Sequence, residues 1–305
     1  MRFTLRQLEV FLAVARFESV SQAARQLHMS QSAVSGSLAD LEKQFEVRLF
    51  ERIGKRLELS ELGRSLRAPG QALEEQAQAF EDILGQRGGA GTLRVGATLT
   101  IGDYLIVPVV ARFVRERAGA QASLHVANTQ EIVRKVKNFE LDVGLVEGEL
   151  VDAELDIMPW CEDELVVFCA PTHPLAKKRV LTDADLASAD WILREPGSGT
   201  RQTFERAMHG ILTGLKIEME LQHTEAIKSA VHAGLGLGCL SRIALKQEFR
   251  HRSLVPCRVP QRNFQRGFYF LLHKQKYRSP AVEAWLALCR EQMRQISREK
   301  TPRHL

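Results

Sequence analysis

The sequence predicts an α/β protein with three parts: a helical N-terminal head, a long helix, and a C-terminal region of alternating strands and helices. Apolar residues recur at helical spacing in short runs over residues 5–44. Leucine and phenylalanine then repeat at three-, four- and seven-residue steps over 62–84. From residue 92 onward, short apolar runs alternate with helical patterns, which is typical of βαβ organisation. The 305 residues are enough for about two domains.

Residues 19–44 have the layout of two short helices joined by a tight turn. Ala23 and Ala24 give the first helix a face of small residues, which lets a second helix cross closely. The turn falls at His28-Met29, and Ser30 stands at the expected N-cap, because its hydroxyl can accept a free backbone N–H. The second helix is expected to bury a stripe at 3.6-residue spacing, formed by Ala33, Val34, Leu38 and Leu41.

Short, uncharged polar residues lie off that stripe, at the amino end of the second helix. Side chains of this kind can form hydrogen bonds with base edges and phosphates in a major groove. The residues that we expect to contact DNA there are Ser30, Gln31, Ser32, Ser35 and Ser37. Taken alone, the stretch is also compatible with an ordinary αα-hairpin that has a polar surface, and the flanking sequence argues against that alternative.

The flanking sequence extends the helix pair into a winged unit. Upstream, residues 5–15 form an amphipathic first helix. Downstream, residues 49–60 alternate around a glycine, which predicts a two-stranded ribbon. Arg52, Lys55 and Arg56 near the tip of this ribbon can lie along the DNA backbone or in the minor groove. The sequence therefore predicts a winged helix-turn-helix that binds double-stranded DNA.

The long helix predicted over residues 60–86 carries an apolar stripe with polar flanks, as in a two-stranded coiled coil. Such a seam would join two heads, so we expect a homodimer or a homotetramer. Pro69-Gly70 interrupts the pattern and predicts a bend or an irregular turn, because proline disrupts helix interiors. The Gly-rich stretch 85–91 predicts a flexible hinge.

The C-terminal region is expected to form two α/β lobes with a ligand cleft between them, at the carboxyl ends of the strands. Two crossovers near 160–164 and 262–267 would link the lobes. The predicted domains are therefore the head at 1–60, the linker helix and hinge at 61–90, and the ligand-binding domain at 91–305. Within the last, lobe I takes 91–161 and 267–305, and lobe II takes 162–266.

Three predicted helix starts in this region carry hydroxyl side chains: Thr98 to Gly102, Arg194 to Arg201, and Thr224-Glu225. Free backbone N–H groups and hydroxyls at a helix start can hold an anion, and an arginine can add a bidentate contact. Each threonine taken singly could equally be an N-cap. Together they predict a site for a small anion.

The N-terminal motifs resemble those of the LysR-type transcriptional regulators. They are Leu-Arg-Gln-Leu-Glu-Val-Phe at 5–11, Ser-Gln-Ser-Ala-Val-Ser at 30–35, Asp-Leu-Glu at 40–42 and Leu-Phe-Glu-Arg at 49–52. The resemblance implies a winged helix-turn-helix, a dimerising linker helix and a periplasmic-binding-protein-like effector domain. It also implies promoter DNA as a partner, with RNA polymerase a possible further one. Gly36 departs from the long polar residue that many members carry there.

Further motifs lie within residues 92–245: Thr98 to Gly102, Val-Gly-Leu-Val-Glu-Gly at 143–148, Asp-Glu-Leu-Val-Val at 163–167, Trp-Ile-Leu-Arg-Glu at 191–195, Gly-Ser-Gly-Thr-Arg at 197–201 and Glu-Ala-Ile-Lys at 225–228. In these motifs the chain resembles the branch that contains sulfite-responsive, cysteine-pathway and carbon-fixation regulators, and it is most similar to the sulfite-sensing members. The resemblance therefore implies sulfite or a related oxyanion as the effector, with control of sulfur metabolism, and an organic acid or other metabolite is the alternative. The expected effector-binding residues are Thr98, Thr100, Ile101, Glu147, Arg194, Ser198, Thr200, Arg201, Thr224 and Glu225. Glu147 conflicts with an anion site if it is ionised, so it could bind a protonated part of the ligand, hold Arg201, or lie outside the pocket.

Composition and motifs argue against other classes of protein. The five cysteines form no Cys-x-x-Cys pair, the nine histidines lack metal spacing, and no nucleophile elbow, P-loop or dinucleotide loop occurs. We therefore expect no catalytic residues, metal or cofactor. No run of 18 apolar residues and no signal peptide is evident, so we expect a cytoplasmic protein without a membrane partner. An enzyme or a solute-binding protein stays a remote alternative.

Overall fold

The computed structural model describes residues 2–53, 56–84, 92–117 and 119–300. The predicted hinge at 85–91 and the side chains of Lys55 and Arg56 lie outside the described part. The chain divides into two compact units. The N-terminal unit holds the described residues up to Leu84 together with His273–Ala281, and the C-terminal unit holds the described residues of 92–272 and of 282–300.

The N-terminal unit begins with three helices: α1 (Leu5–Phe17), α2 (Val20–Gln26) and α3 (Gln31–Phe45). The turn between α2 and α3 contains His28 at a φ of 53°. Ser30 caps α3 as predicted, because its hydroxyl accepts the N–H of Ala33 at 3.1 Å. Within the predicted stripe, Val34 and Leu38 are buried and Leu41 is half-buried. Ala33 is exposed, contrary to prediction, because it lies one 100° step away from Val34 on the solvent side.

The predicted ribbon is present as β1 (Phe50–Ile53) and β2 (Arg56–Leu59), which pair antiparallel with Phe50 opposite Leu59. Its base is buried in the core of the helical head, where the ring of Phe50 packs edge-on against Phe11 at 5.9 Å. The carboxylate of Glu42 on α3 accepts the backbone N–H groups of Leu49 and Phe50 at 2.6 and 3.2 Å. These contacts fix the wing relative to the recognition helix.

The long helix α4 (Glu61–Leu84) runs through Pro69 without interruption, so the irregular turn predicted at Pro69-Gly70 is wrong. Close packing explains this result. A Cβ at Gly70 would lie 3.2 Å from Leu8 Cδ1 and 3.4 Å from Leu12 Cδ2, so α1 presses against the helix at this point. Tertiary contact therefore outweighs the helix-breaking tendency of proline.

The C-terminal part of the chain forms a nine-stranded mixed sheet with helices packed against it. Its strands are β3 (Thr92–Thr98), β4 (Gln121–Ala127), β5 (Val143–Glu147), β6 (Leu155–Cys169), β7 (Asp190–Arg194), β8 (Lys216–Leu221), β9 (Leu237–Ser241), β10 (Val255–Cys257) and β11 (Gln265–His273). Its helices are α5 (Leu99–Ile101), α6 (Val107–Glu116), α7 (Thr129–Lys137), α8 (Asp183–Ser188), α9 (Gly199–Ala207), α10 (Thr224–His232), α11 (Lys246–His251) and α12 (Pro280–Lys300). None of the described helices is long and apolar enough to cross a membrane.

The strand order is β4-β3-β5-β11-β6-β9-β7-β8, with β10 beside β6. Strand β3 lies parallel to β4 and β5, and β7 lies parallel to β8 and β9, as the βαβ patterns predict. We call the β3–β5 half with its helices lobe I and the β7–β9 half lobe II. Strands and not loops run through the two predicted crossovers. Residues 160–164 lie inside the continuous strand β6, and β11 starts at Gln265, within the predicted second crossover.

Candidate DNA-binding and effector sites

The DNA-binding surface predicted in the head is assembled by α2, α3 and the wing. A groove of about 610 Å³ is lined by Ser19 at the start of α2, by Ser35 and Ala39 on α3, and by Arg52 on β1, among other residues. The structure thus brings Ser35 and Arg52, which the sequence predicts for DNA binding, to one surface. Gln31, Ser32, Ser35 and Arg52 are exposed, and Ser37 is half-buried.

The hydroxyl of Ser30 serves mainly as the α3 cap, and it also lies 3.0 Å from the Ser32 hydroxyl. Gly36 lies on the exposed face of α3. No described atom lies within 4 Å of the position that a Cβ would take there. The glycine is therefore not required by packing inside the head, and a longer side chain would reach outward.

The carboxylate of Glu147, at the end of β5, is the centre of a buried polar cluster between the lobes. It accepts hydrogen bonds from Thr98 Oγ1 at 3.0 Å, Thr100 Oγ1 at 3.3 Å and Thr200 Oγ1 at 3.0 Å. All four residues are at most 3 % exposed. The threonine hydroxyls of Thr98 and Thr200 therefore point at Glu147 and do not act as N-caps. Ser198 caps α9 instead, since its hydroxyl accepts the Thr200 N–H at 3.2 Å.

Arg266 on β11 completes the cluster, and the sequence reasoning missed it. Its Nη1 donates to Thr200 Oγ1 at 2.9 Å and lies 3.3 Å from Glu147 Oε1, while Nη2 donates to Thr100 Oγ1 at 3.3 Å. Its other side faces Asp163 on β6. The available signal was a charged residue just before the apolar run 268–272, but Arg266 falls within the crossover predicted at 262–267.

Asp163 holds Arg266 through Nε at 2.8 Å and also accepts the Ser241 hydroxyl at 2.8 Å. Burial raises the pKa of the Asp163 carboxyl, although the charge of Arg266 and both hydrogen bonds oppose the shift. We call Thr98, Thr100, Glu147, Asp163, Thr200, Ser241 and Arg266 the effector cluster. With all groups ionised, its two carboxylates outweigh the guanidinium.

The two predicted arginines lie elsewhere. Arg201 bonds within lobe II, from Nη1 to Glu220 at 2.8 Å and from Nε to Glu205 at 2.6 Å. It does not pair with Glu147, so that expectation is corrected: Arg266 takes this place. Arg194 is buried and forms two hydrogen bonds with Glu195 at 2.7 and 3.0 Å.

The remaining predicted residues lie around the cluster. Ile101 is fully buried in α5, and Thr224 is buried as the first residue of α10. Glu225 accepts the hydroxyl of Tyr104 at 2.5 Å and the ammonium of Lys228 at 2.8 Å. Among the described residues, no group of three or more His, Cys, Asp or Glu side chains could hold a metal ion.

A winged helix-turn-helix head followed by a two-lobed α/β domain defines a ligand-responsive DNA-binding regulator. The comparisons with known proteins agree. The model described as "Bacterial regulatory helix-turn-helix protein, lysR family" matches residues 5–64, and "LysR substrate binding domain" matches residues 86–294. The chain belongs to the LysR family of transcriptional regulators. It is not an enzyme, and its partners are DNA and a small-molecule effector.

Curated relatives align over nearly the whole chain. The uncharacterized HTH-type transcriptional regulator YeiE of Escherichia coli (strain K12) is 42% identical over 289 residues, covering 95% of this chain and 98% of YeiE. The RuBisCO operon transcriptional regulator of Allochromatium vinosum is 35% identical, covering 93% of this chain and 95% of that protein.

Solved structures show the same fold. A full-length OxyR variant from Pseudomonas aeruginosa has a TM-score of 0.72 at 22% identity, and the match covers 95% of each chain. The CcmR regulatory domain of Synechocystis PCC6803 has a TM-score of 0.61 at 28% identity. That match covers 66% of this chain and 96% of the CcmR domain.

Proposed function

We propose that the regulator senses a small anion, with sulfite or a related oxyanion favoured, bound at the effector cluster. One observation carries this proposal: three threonine hydroxyls and the Arg266 guanidinium converge on one carboxylate, that of Glu147. Donors that hold two carboxylate oxygens in a buried place can hold the oxygens of a small oxyanion equally well. The effector would then compete with Glu147 for these donors.

The charge of the cluster favours an anion that carries a proton. Glu147 and Asp163 both lie against Arg266, and a further bare anion would meet like charge in a buried site. A proton on the ligand reduces that repulsion and supplies a hydrogen-bond donor toward the Glu147 carboxylate. Sulfite exchanges a proton with water near neutral pH, whereas sulfate does not, so the cluster favours sulfite over sulfate.

An organic acid is the second candidate effector. The CcmR regulatory domain was solved in complex with 2-PG, and several relatives carry names as RuBisCO regulators. The same hydroxyls and guanidinium could receive a carboxylate. Direct measurements of sulfite binding and of organic-acid binding distinguish the two candidate effectors.

The proposed regulator acts as a homodimer or a homotetramer. On α4, Leu62, Leu66, Phe80 and Leu84 are exposed although apolar, and Phe80 and Leu84 leave 63% and 68% of their surface uncovered. A coiled seam with a second copy would bury them. Paired heads would then contact two promoter half-sites through Gln31, Ser35 and the wing, and RNA polymerase could respond to the change in the bound complex. Genes of sulfur metabolism are the proposed targets.

Calorimetry with the full chain tests the effector. Sulfite is titrated beside sulfate, thiosulfate, phosphate, 2-PG and small organic acids. We expect saturable sulfite binding that Thr200→Ala loses. Thr203→Ala is the matched control, since the Thr203 hydroxyl bonds to the Gly199 carbonyl at 2.9 Å within α9 and not to the cluster. Heat from 2-PG or another organic acid, with none from sulfite, would select the second candidate.

A further inference from the structure

The effector cluster is closed off from solvent, so a ligand reaches it only if the lobes part somewhere. Thr98, Thr100, Glu147 and Thr200 are each at most 3 % exposed, and Arg266 is 5 % exposed. Several groups of contacts join the lobes around the cluster, among them a bond from Asn128 to Glu195 and bonds between Glu149 and both Gln202 and Arg206. They differ in kind, and this difference indicates where the protein opens.

The first set, which we call the glycine seam, is carried largely by backbone. The Gln130 N–H donates to the Gly197 carbonyl at 3.2 Å, and the Gly199 N–H donates to Thr129 Oγ1 at 3.2 Å. A Cβ at Gly199 would lie only 2.0 Å from the Glu147 carbonyl oxygen. The backbones of the two lobes therefore approach as closely as glycine permits. Glu149 of lobe I also bonds to Gln202 and Arg206 of lobe II, so several bonds must break together for this seam to part.

The second set, which we call the clasp, is made of side chains alone. Tyr104 of lobe I donates its hydroxyl to Glu225 at 2.5 Å and accepts a hydrogen bond from Lys228 at 3.1 Å. Lys228 also bonds to Glu225 at 2.8 Å and Glu248 at 2.9 Å within lobe II. The Glu225 side chain keeps 70% of its surface exposed, so water can solvate this carboxylate when the clasp opens, whereas Lys228 is 8% exposed and keeps its bond to Glu248 within lobe II.

Local backbone structure also singles out the clasp. Tyr104 lies in a π-helical turn, Gly102–Ile106, between α5 and α6. Turns of this kind are uncommon and are frequently found at functional sites. The turn begins two residues after Thr100, so movement of Tyr104 is linked along the chain to a threonine of the effector cluster.

We propose that the Tyr104–Glu225–Lys228 clasp is the gate through which the effector enters and leaves, while the glycine seam stays closed. The proposal rests on the proposed function in placing the effector at the cluster. It assigns to Tyr104 a role in setting effector exchange rates. Burial and the hydrogen bond to Glu225 raise the pKa of Tyr104 to about 12, so its hydroxyl stays a donor at working pH.

Residue-resolved hydrogen exchange on the full chain tests the gate without any ligand. Tyr104→Phe and Glu225→Ala are compared with the control Tyr269→Phe, whose ring packs in lobe I. We expect the amides of 102–106 to exchange at least about tenfold faster in both clasp variants, because both lose the hydrogen bond between Tyr104 and the Glu225 carboxylate. The amides of Gln130 and Gly199, which report the seam, should be unchanged. Unchanged exchange at 102–106, or equal acceleration at the seam, overturns the proposal.

Stopped-flow measurements with sulfite form the second arm. Tyr104→Phe should raise both the association and the dissociation rate about tenfold and leave Kd within about threefold, because a gate alters rates and not the bound state. Unchanged rates would overturn the gate. Absence of sulfite binding in the unaltered protein would instead reject the oxyanion effector, and the exchange result would then decide on the clasp by itself.

Discussion

Asp163 and Arg266 face each other from neighbouring strands. The carboxylate accepts a hydrogen bond from Nε of the guanidinium at 2.8 Å and forms an ion pair with Nη2 at 2.7 Å. Both side chains are at most 2 % exposed. The ion pair with Asp163 leaves Nη1 of Arg266 directed at Thr200 and Glu147. The orientation of the Arg266 guanidinium toward Thr200 and Glu147 is therefore set by Asp163, on the opposite side of it.

Asp163→Ala is expected to destabilise the C-terminal unit. Removing one partner of a buried ion pair leaves Arg266 with fewer acceptors and costs about 3 kcal/mol. The measurement is chemical denaturation of the full chain. Glu162→Ala is the matched control: Glu162 is the preceding residue of β6 but is exposed, so its loss should change stability by less than about 0.5 kcal/mol. Equal effects of the two variants would contradict the role given to Asp163.

The raised pKa of Asp163 predicts a pH dependence of stability. Between its ordinary value of 3.8 and its raised value, the folded protein binds the proton more strongly than the unfolded chain does. The stability that the Asp163 carboxyl contributes is therefore fully present below its ordinary pKa of 3.8, and it is lost as pH rises through the raised pKa of the folded protein. We therefore expect the Tm of the unaltered protein to fall relative to the Tm of Asp163→Asn on going from about pH 4 to about pH 7, because asparagine does not titrate. A difference that stays constant over this range would count against the shift.

Ser35→Ala and Gln31→Ala are expected to weaken operator binding about tenfold while effector binding is retained, since each side chain lies at the exposed amino end of α3. Fluorescence anisotropy with the promoter DNA measures the loss. Ser65→Ala is the control, because the Ser65 hydroxyl bonds to the Leu62 carbonyl on α4. Operator affinity that survives both α3 substitutions would remove these residues from the recognition surface.

Arg52→Ala should reduce affinity for all DNA sequences about equally and lower the salt slope of binding by about one, as expected for a phosphate contact. Titrations at several salt concentrations give the slope. Arg52 lines the same groove as Ser35, so an unchanged slope combined with lost sequence preference would instead place Arg52 at a base.

Phe80→Lys on α4 is expected to weaken the dimer, because it places a charge at an exposed apolar position of the proposed seam. Sedimentation as a function of concentration measures the association. Gln76→Lys adds the same charge at an exposed polar position and should leave association unchanged. A dimer that persists in Phe80→Lys would locate the interface elsewhere.

Much of the fold was predictable from periodicity and end signals. Ser30 as a cap, Val34 and Leu38 as core residues, and the wing all follow from local chemistry that the final packing keeps. The irregular turn predicted at Pro69-Gly70 is wrong because the packing of α1 against Gly70, which supports the helix there, is a tertiary contact that a local sequence pattern does not show.

The candidate site was only partly predictable for a similar reason. Thr98, Thr100, Glu147 and Thr200 stand at strand ends and helix starts, where sequence signals are strong. Arg266 lies at the start of a late strand and reaches the cluster from 66 residues beyond Thr200. No spacing rule links such distant positions, and a buried arginine in a basic stretch looks the same in sequence as its exposed neighbours.

The two strands that connect the lobes, β6 and β11, also carry Asp163 and Arg266. The effector cluster therefore lies where the two lobes are connected, in the middle of the sheet and not at its outer strands. In a lever, a small displacement near the pivot corresponds to a large displacement at the ends of the arms. If the proposed effector displaces Arg266 from Glu147, we expect a small shift at the cluster to move the outer strands β4 and β8 by a larger distance.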